Sequence, residues 1–512
     1  MRKALPMQDT DRDTRTGIDT SALLIGFVVF VSGAIVMVLE LVGSRLLAPY
    51  FGNSLFVWTS LIGVMLGFMA LGGFLGGRLG DRYLSTKVLF WILLVTSVSI
   101  SLVAFSERML LPRFAEASGL RVAAVASAAV LFAIPSTLLG MVSPYCTRLR
   151  LHALANSGAT VSSLYALSTI GSITGTFAAG FWLIANIGSH GLITWLAAAV
   201  LALALLVATP LVWGRSAALA VALAVLNGAM LFPGTAAGSF DTQYDRYFID
   251  RETEVETMRP VVTLSRDTDS IESAMYTDNG EPFLLDYYRY YDLAMQSVPA
   301  VRRTLMIGGG TFSYPRHQLN MYPDSVTDAV EIDPALVDLA RSTFLLADDP
   351  RMNILIEDGR TFLNNSTERY DVILLDAFKS ASSIPYQLTT YESMLHCHRL
   401  LDDDGILAMN LIASVEGPGS RFLWAEYVTL KAIFPQVEVF AVYDVRDPML
   451  VQNISVMASK SESISLIDTV ERITPELAQQ RIPESSVPDD LEAIPLMTDD
   501  FAPVDQYLMD LL

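Results

Sequence analysis

Charged residues are scarce in this chain of 512 residues, of which 17% are Asp, Glu, Lys or Arg and 52% are apolar. Since a soluble globular protein carries about 25% charged residues, the composition excludes a wholly soluble enzyme and a disordered or collagen-like chain. Only two cysteines are present, Cys146 and Cys397, which excludes a disulfide framework and a cysteine-rich metal site. The formal charge of −20 argues against a nucleic-acid partner, because phosphates need basic neutralisation.

The charge is unevenly divided along the chain. Residues 1–239 carry 14 Lys and Arg against 8 Asp and Glu, whereas residues 240–512 carry 20 against 46. The length also exceeds the roughly 250–300 residues at which a single core stops growing. The sequence therefore predicts two dissimilar parts, an apolar and slightly basic one followed by an acidic one.

Long apolar runs recur through the first part. A helix needs about 20 apolar residues to cross the hydrocarbon core of a bilayer. Seven runs approach or reach that length: 23–42, 56–75, 88–105, 122–142, 161–184, 192–212 and 217–232. We expect a polar tail over residues 1–20, which is not a cleaved signal peptide, and a transmembrane domain of about seven helices over 21–235. The expected partner of this domain is the lipid bilayer.

Two features inside these runs leave alternatives open. Glycines crowd the second and fifth runs, which indicates close helix packing or, alternatively, a transport path lined by kinked helices. Glu40 is the only acid inside an apolar run. It is either a functional intramembrane charge or the partner of Arg45 at the membrane interface.

The pattern changes from about residue 241 onwards. Short apolar stretches alternate with amphipathic ones, which predicts a doubly wound parallel sheet. The predicted strands are 255–264, 270–277, 304–307, 326–331, 353–357, 371–375 and 406–410, with helices that include 334–344 and 389–400. Asp278-Asn279-Gly280 is typical of a hairpin turn.

The candidate binding residues follow four successive strands, because ligands lie outside the carboxyl ends of parallel strands. An acid about 20 residues after a glycine run suits the two hydroxyls of a ribose, and a further acid can accept from an adenine amino group. The candidates are Gly308, Gly309 and Gly310, then Glu331, then Asp358 with Gly359, and finally Asp376.

The segments LMIGGG, AVEIDPALVDLAR, ILIEDGRTFL and RYDVILLDAF resemble the spermidine synthase (polyamine aminopropyltransferase) family over roughly residues 250–460. The whole chain resembles the membrane-fused members through SGAIVMVLELVGSRLLAPYFGNSLFVWTS, GGFLGGRLGDR and LMTDDFAPVDQYL. The resemblance implies a small β-region over 240–300 and, over 301–512, a Rossmann-like domain of the S-adenosylmethionine-dependent methyltransferase type. It also implies decarboxylated S-adenosylmethionine as donor, a small amine acceptor, no metal, and a homodimer through the small β-region.

The resemblance assigns roles to individual residues. Asp376 matches the general base that deprotonates the attacking amine, and Tyr291 matches a tyrosine that orients the amine. An alternative for Tyr291 is simple aromatic packing on the sheet. Ile332 joins Glu331 on the donor side, while the acceptor side is assigned Asp292, Lys379 and Tyr443.

Departures from the family pattern leave the substrates open. Thr311 stands where an aspartate would hold the donor amine, and Lys379 stands where a second acid would hold a diamine such as putrescine. An S-adenosylmethionine-dependent methyltransferase is therefore one alternative function. A polyamine or metabolite transporter or sensor with a nucleoside-binding domain is another.

Two arguments about the side of the membrane conflict. Lys and Arg counts in the loops, ten against four, place the N-terminus inside, and seven crossings then place the acidic part outside. Adenosylated sulfonium donors are cytosolic, however. One crossing is miscounted if either the short run 217–232 or the glycine-interrupted boundary near 187–191 does not cross the membrane. We therefore expect a multi-pass cell-membrane protein whose catalytic domain faces the cytoplasm.

Overall fold

The structure, a computed structural model, describes residues 20–508 except for 53, 118–119, 154–156, 209–237, 256, 267–270, 279–281, 284, 379–383 and 464. The predicted seventh apolar run, 217–232, lies outside the described residues, as do the end of the sixth run and the tip of the predicted hairpin turn.

A bundle of apolar helices forms the N-terminal region. Its helices are α1 (Thr20–Phe51), α2 (Leu55–Arg82), α3 (Thr86–Ala117), α4 (Leu120–Ala153), α5 (Ser157–Ala178), α6 (Ile184–Ile187) and α7 (Ser189–Val207), with a π-helical turn, Ala179–Leu183, between α5 and α6. Helices α1 to α5 contain stretches long and apolar enough to cross a membrane, while the apolar stretch of α7, Gly191–Val207, is shorter.

The helices pair closely through small residues. Helix α2 packs on α4, α1 on α5 and α3 on α7. Gly72 and Gly76 lie against the backbone of α4, and Gly171 and Gly175 lie against that of α1, so a side chain at any of the four would clash. The prediction of close packing is confirmed for these glycines. Five other glycines of the same runs have no neighbour this close among the described residues: Gly63, Gly67, Gly73, Gly77 and Gly180.

A small antiparallel sheet follows, as the sequence predicts. Its strands, in spatial order, are β1 (Ser239–Asp241), β2 (Arg246–Thr253), β3 (Pro260–Ser265), β4 (Ile271–Tyr276) and β5 (Pro282–Phe283).

The predicted strand 255–264 is wrong in its first half. The chain turns between β2 and β3, where Met258 has a φ of 56°, and Pro260 opens β3 because proline suits the first residue of a strand. Strand β2 was not predicted, since its sequence RYFIDRET is dominated by polar residues.

The acidic part is built on a seven-stranded sheet. Its strands are β6 (Arg303–Ile307), β7 (Val326–Glu331), β8 (Met352–Ile356), β9 (Tyr370–Leu375), β10 (Leu401–Ala413), β11 (Gln436–Ala441) and β12 (Gln452–Ser459). The spatial order is β11-β12-β10-β9-β6-β7-β8, and β12 is antiparallel to both of its neighbours. This is a Rossmann-like sheet of the methyltransferase type, as predicted.

Helices connect these strands and cover both faces of the sheet. They are α8 (Tyr288–Gln296), α9 (Ser313–Met321), α10 (Pro334–Thr343), α11 (Gly359–Asn365), α12 (Tyr391–Leu400), α13 (Arg421–Lys431), α14 (Leu466–Ile473), α15 (Pro475–Ala478) and α16 (Val504–Leu508). Asp333 and Asp358 cap α10 and α11 directly after strands β7 and β8. The acidic side chains that cap the N-termini of these two helices therefore also lie at the edge of the sheet where ligands bind.

Polar contacts join the helical region to the rest of the described chain. Leu55 N–H donates to Asp505 Oδ2 at 3.0 Å, and Arg246 meets Glu107 at 3.5 Å in a buried ion pair. The third contact involves Arg45, which donates to backbone carbonyls of the turn that follows β1. The pairing of Glu40 with Arg45 that the sequence allows is therefore replaced by a contact across the two regions.

One buried acid in the core of the acidic part lowers the stability of the folded protein at neutral pH. Glu426 on α13 is fully buried, and neither carboxylate oxygen has a hydrogen-bond partner among the described residues. Burial raises the pKa of Glu426 well above its ordinary value. The folded protein therefore keeps a proton here that the unfolded chain releases above about pH 4.5, and stability falls as the pH rises.

We expect Glu426→Gln to abolish this pH dependence. At pH 8 the variant should melt at a higher temperature than the wild type, whereas at pH 4.5 the difference should largely disappear. Thermal unfolding of the detergent-solubilised chain at both pH values measures this. A variant that melts below the wild type at pH 8 would contradict a neutral, unpartnered Glu426.

Candidate active site

Two parallel strand ends bring the candidate residues together. Asp376 follows β9, and its N–H donates to Ile307 O at the end of β6, at 2.9 Å. Gly308 follows β6 with a φ of 96°, and any side chain there would collide with the carbonyl of Asp376. The glycine is required by this close approach of backbones, quite apart from any ligand.

The carboxylate of Asp376 has a pKa close to neutrality. The residue keeps some contact with solvent, yet burial raises its pKa to about 7, against the lowering effect of side chains of Tyr287, Tyr291 and Asn410. Tyr287 donates to Oδ2 at 3.1 Å. A group with a pKa near 7 is well suited to accept a proton at physiological pH.

A cluster of buried tyrosines lies beside Asp376. The ring of Tyr291 lies 5.5 Å from that of Tyr287, 5.9 Å from Tyr288 and 5.2 Å from Tyr314. The Tyr291 hydroxyl is near enough to lower the pKa of Asp376, but it makes no hydrogen bond of ordinary geometry among the described residues. Tyr291 thus packs in an aromatic cluster and also presents its hydroxyl to the carboxylate.

Glu331 lies beside the glycine run. Its side chain is 6% exposed, with Oε2 accepting from Gly310 N–H and Oε1 from Asp333 N–H, both at 3.0 Å. Ile332, between the two acids, is partly exposed. The carboxylate is therefore fixed at the carboxyl end of β7, against the loop that follows β6.

Asp358 and Gly359 have clear roles in the fold. Asp358 Oδ1 accepts from the N–H of Thr361 at 2.9 Å and from its hydroxyl at 3.0 Å, which caps α11. A side chain on Gly359 would collide with Ile307. The predicted contact of Asp358 with an adenine amino group stays a prediction.

Thr311 is enclosed at the end of the glycine run. It is fully buried, and its hydroxyl shares a hydrogen bond of 3.0 Å with that of Ser313. Its N–H donates to Ser273 Oγ at 3.3 Å, so β4 of the small sheet covers this loop. The position that carries an acid in the resembled family is here neutral and engaged within the protein.

The predicted acceptor-side residues are not gathered at one point. Asp292 accepts from the Tyr314 hydroxyl at 3.0 Å and contacts His317 Nε2 at 3.1 Å. Tyr443 follows β11 and is 52% exposed. Lys379 lies outside the described residues. The structure therefore places Asp292 in a polar cluster with Tyr314 and His317. Tyr443 lies separately, at the exposed end of β11.

Two partners of Asp376 were not singled out from the sequence. Asn410 lies within β10, directly after Met409, which pairs with Leu375 at the end of β9, so Asn410 and Asp376 are neighbours on adjacent strands. That position was available from the predicted strand 406–410. Tyr287 stands in a run of four tyrosines, in which the sequence does not distinguish one hydroxyl from another.

Comparisons with known proteins find relatives of the C-terminal part of the chain. Residues 290–464 match the Spermine/spermidine synthase domain, so the C-terminal part of the chain carries a domain of this kind. Over 136 residues the chain is 33% identical to a "Probable polyamine aminopropyl transferase" of Bifidobacterium longum, covering 26% of this chain and 29% of that protein. Over 162 residues it is 28% identical to a "Polyamine aminopropyltransferase" of Vibrio vulnificus, covering 30% and 52%.

Two solved structures are similar to this chain at lower identity. A probable spermidine synthase from Corynebacterium glutamicum is 22% identical, with a TM-score of 0.43, covering 51% of this chain and 96% of that one. Spermidine synthase from Thermotoga maritima is 17% identical, with a TM-score of 0.32, covering 52% and 90%. The chain spans about half the length, or less, of the two curated relatives described above.

The hydrogen bond from Tyr287 should set the pKa of Asp376. Tyr287→Phe removes a donor that favours the ionised carboxylate, so we expect the pKa to rise by about one unit from its value near 7. Infrared titration of the carboxyl stretch measures it, with Asp376→Asn to identify the band. An unchanged titration in Tyr287→Phe would show that this contact does not control the carboxylate.

Proposed function

We propose that this protein is a membrane-anchored aminopropyltransferase of the spermidine synthase type. It would transfer an aminopropyl group from decarboxylated S-adenosylmethionine to a small amine such as putrescine. The observation that carries the proposal is Asp376, a carboxylate of pKa about 7 beside a glycine loop at a strand end. The Spermine/spermidine synthase domain over residues 290–464 supports it.

The donor side of the crevice fits a nucleoside. The loop Gly308–Gly310 has two glycines with positive φ, which allow a ligand to approach the backbone. Glu331 supplies the two oxygens that adjacent ribose hydroxyls require. The neighbouring Asp358 retains a second carboxylate oxygen that could accept from the adenine amino group.

The chemistry requires removal of one proton and good alignment. A primary ammonium has a pKa near 10 and is not a nucleophile until it loses a proton. Asp376 accepts that proton, and the amine nitrogen then forms a bond to the carbon next to the sulfonium. The carbon–sulfur bond breaks with its electron pair on sulfur, which releases methylthioadenosine. Tyr287 holds the carboxylate by a hydrogen bond, and Tyr291 helps to shelter the reacting atoms from water.

Methyl transfer from intact S-adenosylmethionine is a second candidate, favoured by one observation. Thr311 provides no charge for the free amine of a decarboxylated donor, and its hydroxyl is already bonded to Ser313. The same base could serve either reaction. Comparing turnover with the two donors, under identical conditions, distinguishes them.

The apolar helices suggest how the enzyme is held. Five stretches are long and apolar enough to span a bilayer, which supports a multi-pass anchor. We place the catalytic part on the cytoplasmic side, where adenosylated donors occur. We also propose that two copies of the chain form a homodimer through the small β-region.

Asp376→Asn should bind the donor and lose turnover, because an amide cannot accept the ammonium proton. We expect a decrease in kcat of about 100- to 10,000-fold, with methylthioadenosine affinity within about twofold of wild type. Product formation by mass spectrometry and calorimetric titration measure the two quantities. A variant that keeps more than about a tenth of the rate would mean that another residue is the base.

Glu331→Ala should abolish nucleoside binding. Two hydrogen bonds to a charged acceptor, each about 1.5–3 kcal/mol, correspond to at least a hundredfold loss of methylthioadenosine affinity. Glu368→Ala is the matched control, since Glu368 is an exposed acid that pairs with Arg303. Equal affinity of Glu331→Ala and wild type would overturn the assignment of the donor site.

A further inference from the structure

A chain of hydrogen bonds joins the end of α1 to the small sheet and then to the seven-stranded sheet. Arg45 donates from Nη1 to the carbonyl of Thr242 at 3.2 Å and from Nη2 to that of Gln243. The Thr242 hydroxyl donates to Asp333 Oδ2. Thr242 is 3% exposed and Asp333 is 1% exposed, so the link between them is shielded from water.

Asp333 also forms a hydrogen bond to Glu331, on the donor side of the crevice. Its N–H donates to Glu331 Oε1 at 3.0 Å, and its Oδ1 accepts from Ala335 N–H at 3.1 Å, which caps α10. Glu331 Oε2 accepts from Gly310 N–H at 3.0 Å. The orientation of the proposed ribose-binding carboxylate therefore depends on a residue that the small sheet holds in place.

Charge reinforces the arrangement. The guanidinium of Arg45 lies within electrostatic reach of Asp241, Asp245 and Asp333. A cation at this point offsets repulsion among acids that crowd the turn after β1 and the start of α10. Its two carbonyl contacts also fix the turn in the position that Thr242 needs to reach Asp333.

We infer that Arg45 and Thr242 are positioning residues for the donor site, so that the first apolar helix holds the nucleoside-binding loop in its binding geometry. The inference rests on the proposed function, because it concerns the Glu331 site. It assigns to the helical region a part in donor affinity as well as anchoring.

Substitutions in the full-length, detergent-solubilised chain test this inference. Arg45→Met removes both donors to the turn and should weaken methylthioadenosine binding as Thr242→Val does; unchanged binding would overturn the role of the first helix. Thr242→Val keeps the shape and removes the hydroxyl, whereas Thr242→Ser keeps the hydroxyl. Because that hydroxyl also accepts from Tyr244 N–H and Asp245 N–H, Asp333→Asn is a second variant. It retains the oxygen that caps α10, replaces the oxygen that accepts from Thr242 by an amide donor, and removes one of the negative charges near Arg45. Asp505→Asn is the control, since it disturbs another contact between the same regions.

We expect Thr242→Val and Asp333→Asn to bind methylthioadenosine about fivefold to tenfold more weakly, as the loss of one buried hydrogen bond implies. The KM for the donor should rise by the same factor with kcat unchanged. Thr242→Ser and Asp505→Asn should match wild type. Equal losses in Asp505→Asn, or none in the two variants, would overturn the inference.

Amide hydrogen exchange separates this inference from the proposed function. The N–H groups of Gly310 and Asp333, which donate to Glu331, should exchange about tenfold faster in Thr242→Val than in wild type or Thr242→Ser. This readout needs no ligand. A wild type that binds no methylthioadenosine refutes the proposed function, whereas unchanged exchange in Thr242→Val refutes the positioning role.

Discussion

The close approach of two strand ends is the constraint on which the site depends. Gly308 and Asp376 follow adjacent parallel strands, and their backbones are so near that only glycine fits at 308. This contact fixes the direction in which Asp376 leaves β9, and so places its carboxylate among the tyrosines of α8. The same glycine run then reaches Glu331 through Gly310 N–H. Asp376, the proposed base, and Glu331, the proposed ribose-binding residue, are therefore held on either side of one short loop.

Two buried acids in the same part of the chain show what determines their chemistry. Burial raises the pKa of both Asp376 and Glu426. Asp376 has three polar side chains around it, which limit the rise to about 7, whereas Glu426 has no hydrogen-bond partner among the described residues. Desolvation alone favours the protonated acid, and desolvation balanced by donors gives a group that can exchange a proton near neutrality. Asp376 thus differs from Glu426 both in having these donors and in keeping some contact with solvent.

The sequence predicts the parts of the fold that depend on local pattern. Strand ends at Glu331 and Asp376 were located because a short apolar run followed by an acid has a clear local signature. The role of Tyr287 could not be predicted, since four tyrosines in five residues give no basis for choosing one. Nor could the contact of Arg45 with the turn at Thr242, because it joins residues 197 positions apart and no local pattern encodes such a pairing. The antiparallel β12 and the polar strand β2 were missed for similar reasons, since neighbouring strands determine their place.

The hydrogen bond between Leu55 and Asp505 has a consequence for the biosynthesis of the chain. Its two ends are separated by 450 residues. At a synthesis rate of about 5–20 residues per second, the second end emerges roughly 20–90 seconds after the first. The start of α2 is thus made long before its partner exists, and the apolar helices must reach a stable arrangement without it. Docking of the finished sheet domain is then a late event in maturation. A chain truncated shortly before residue 505 would contain both parts but would lack this hydrogen bond between them.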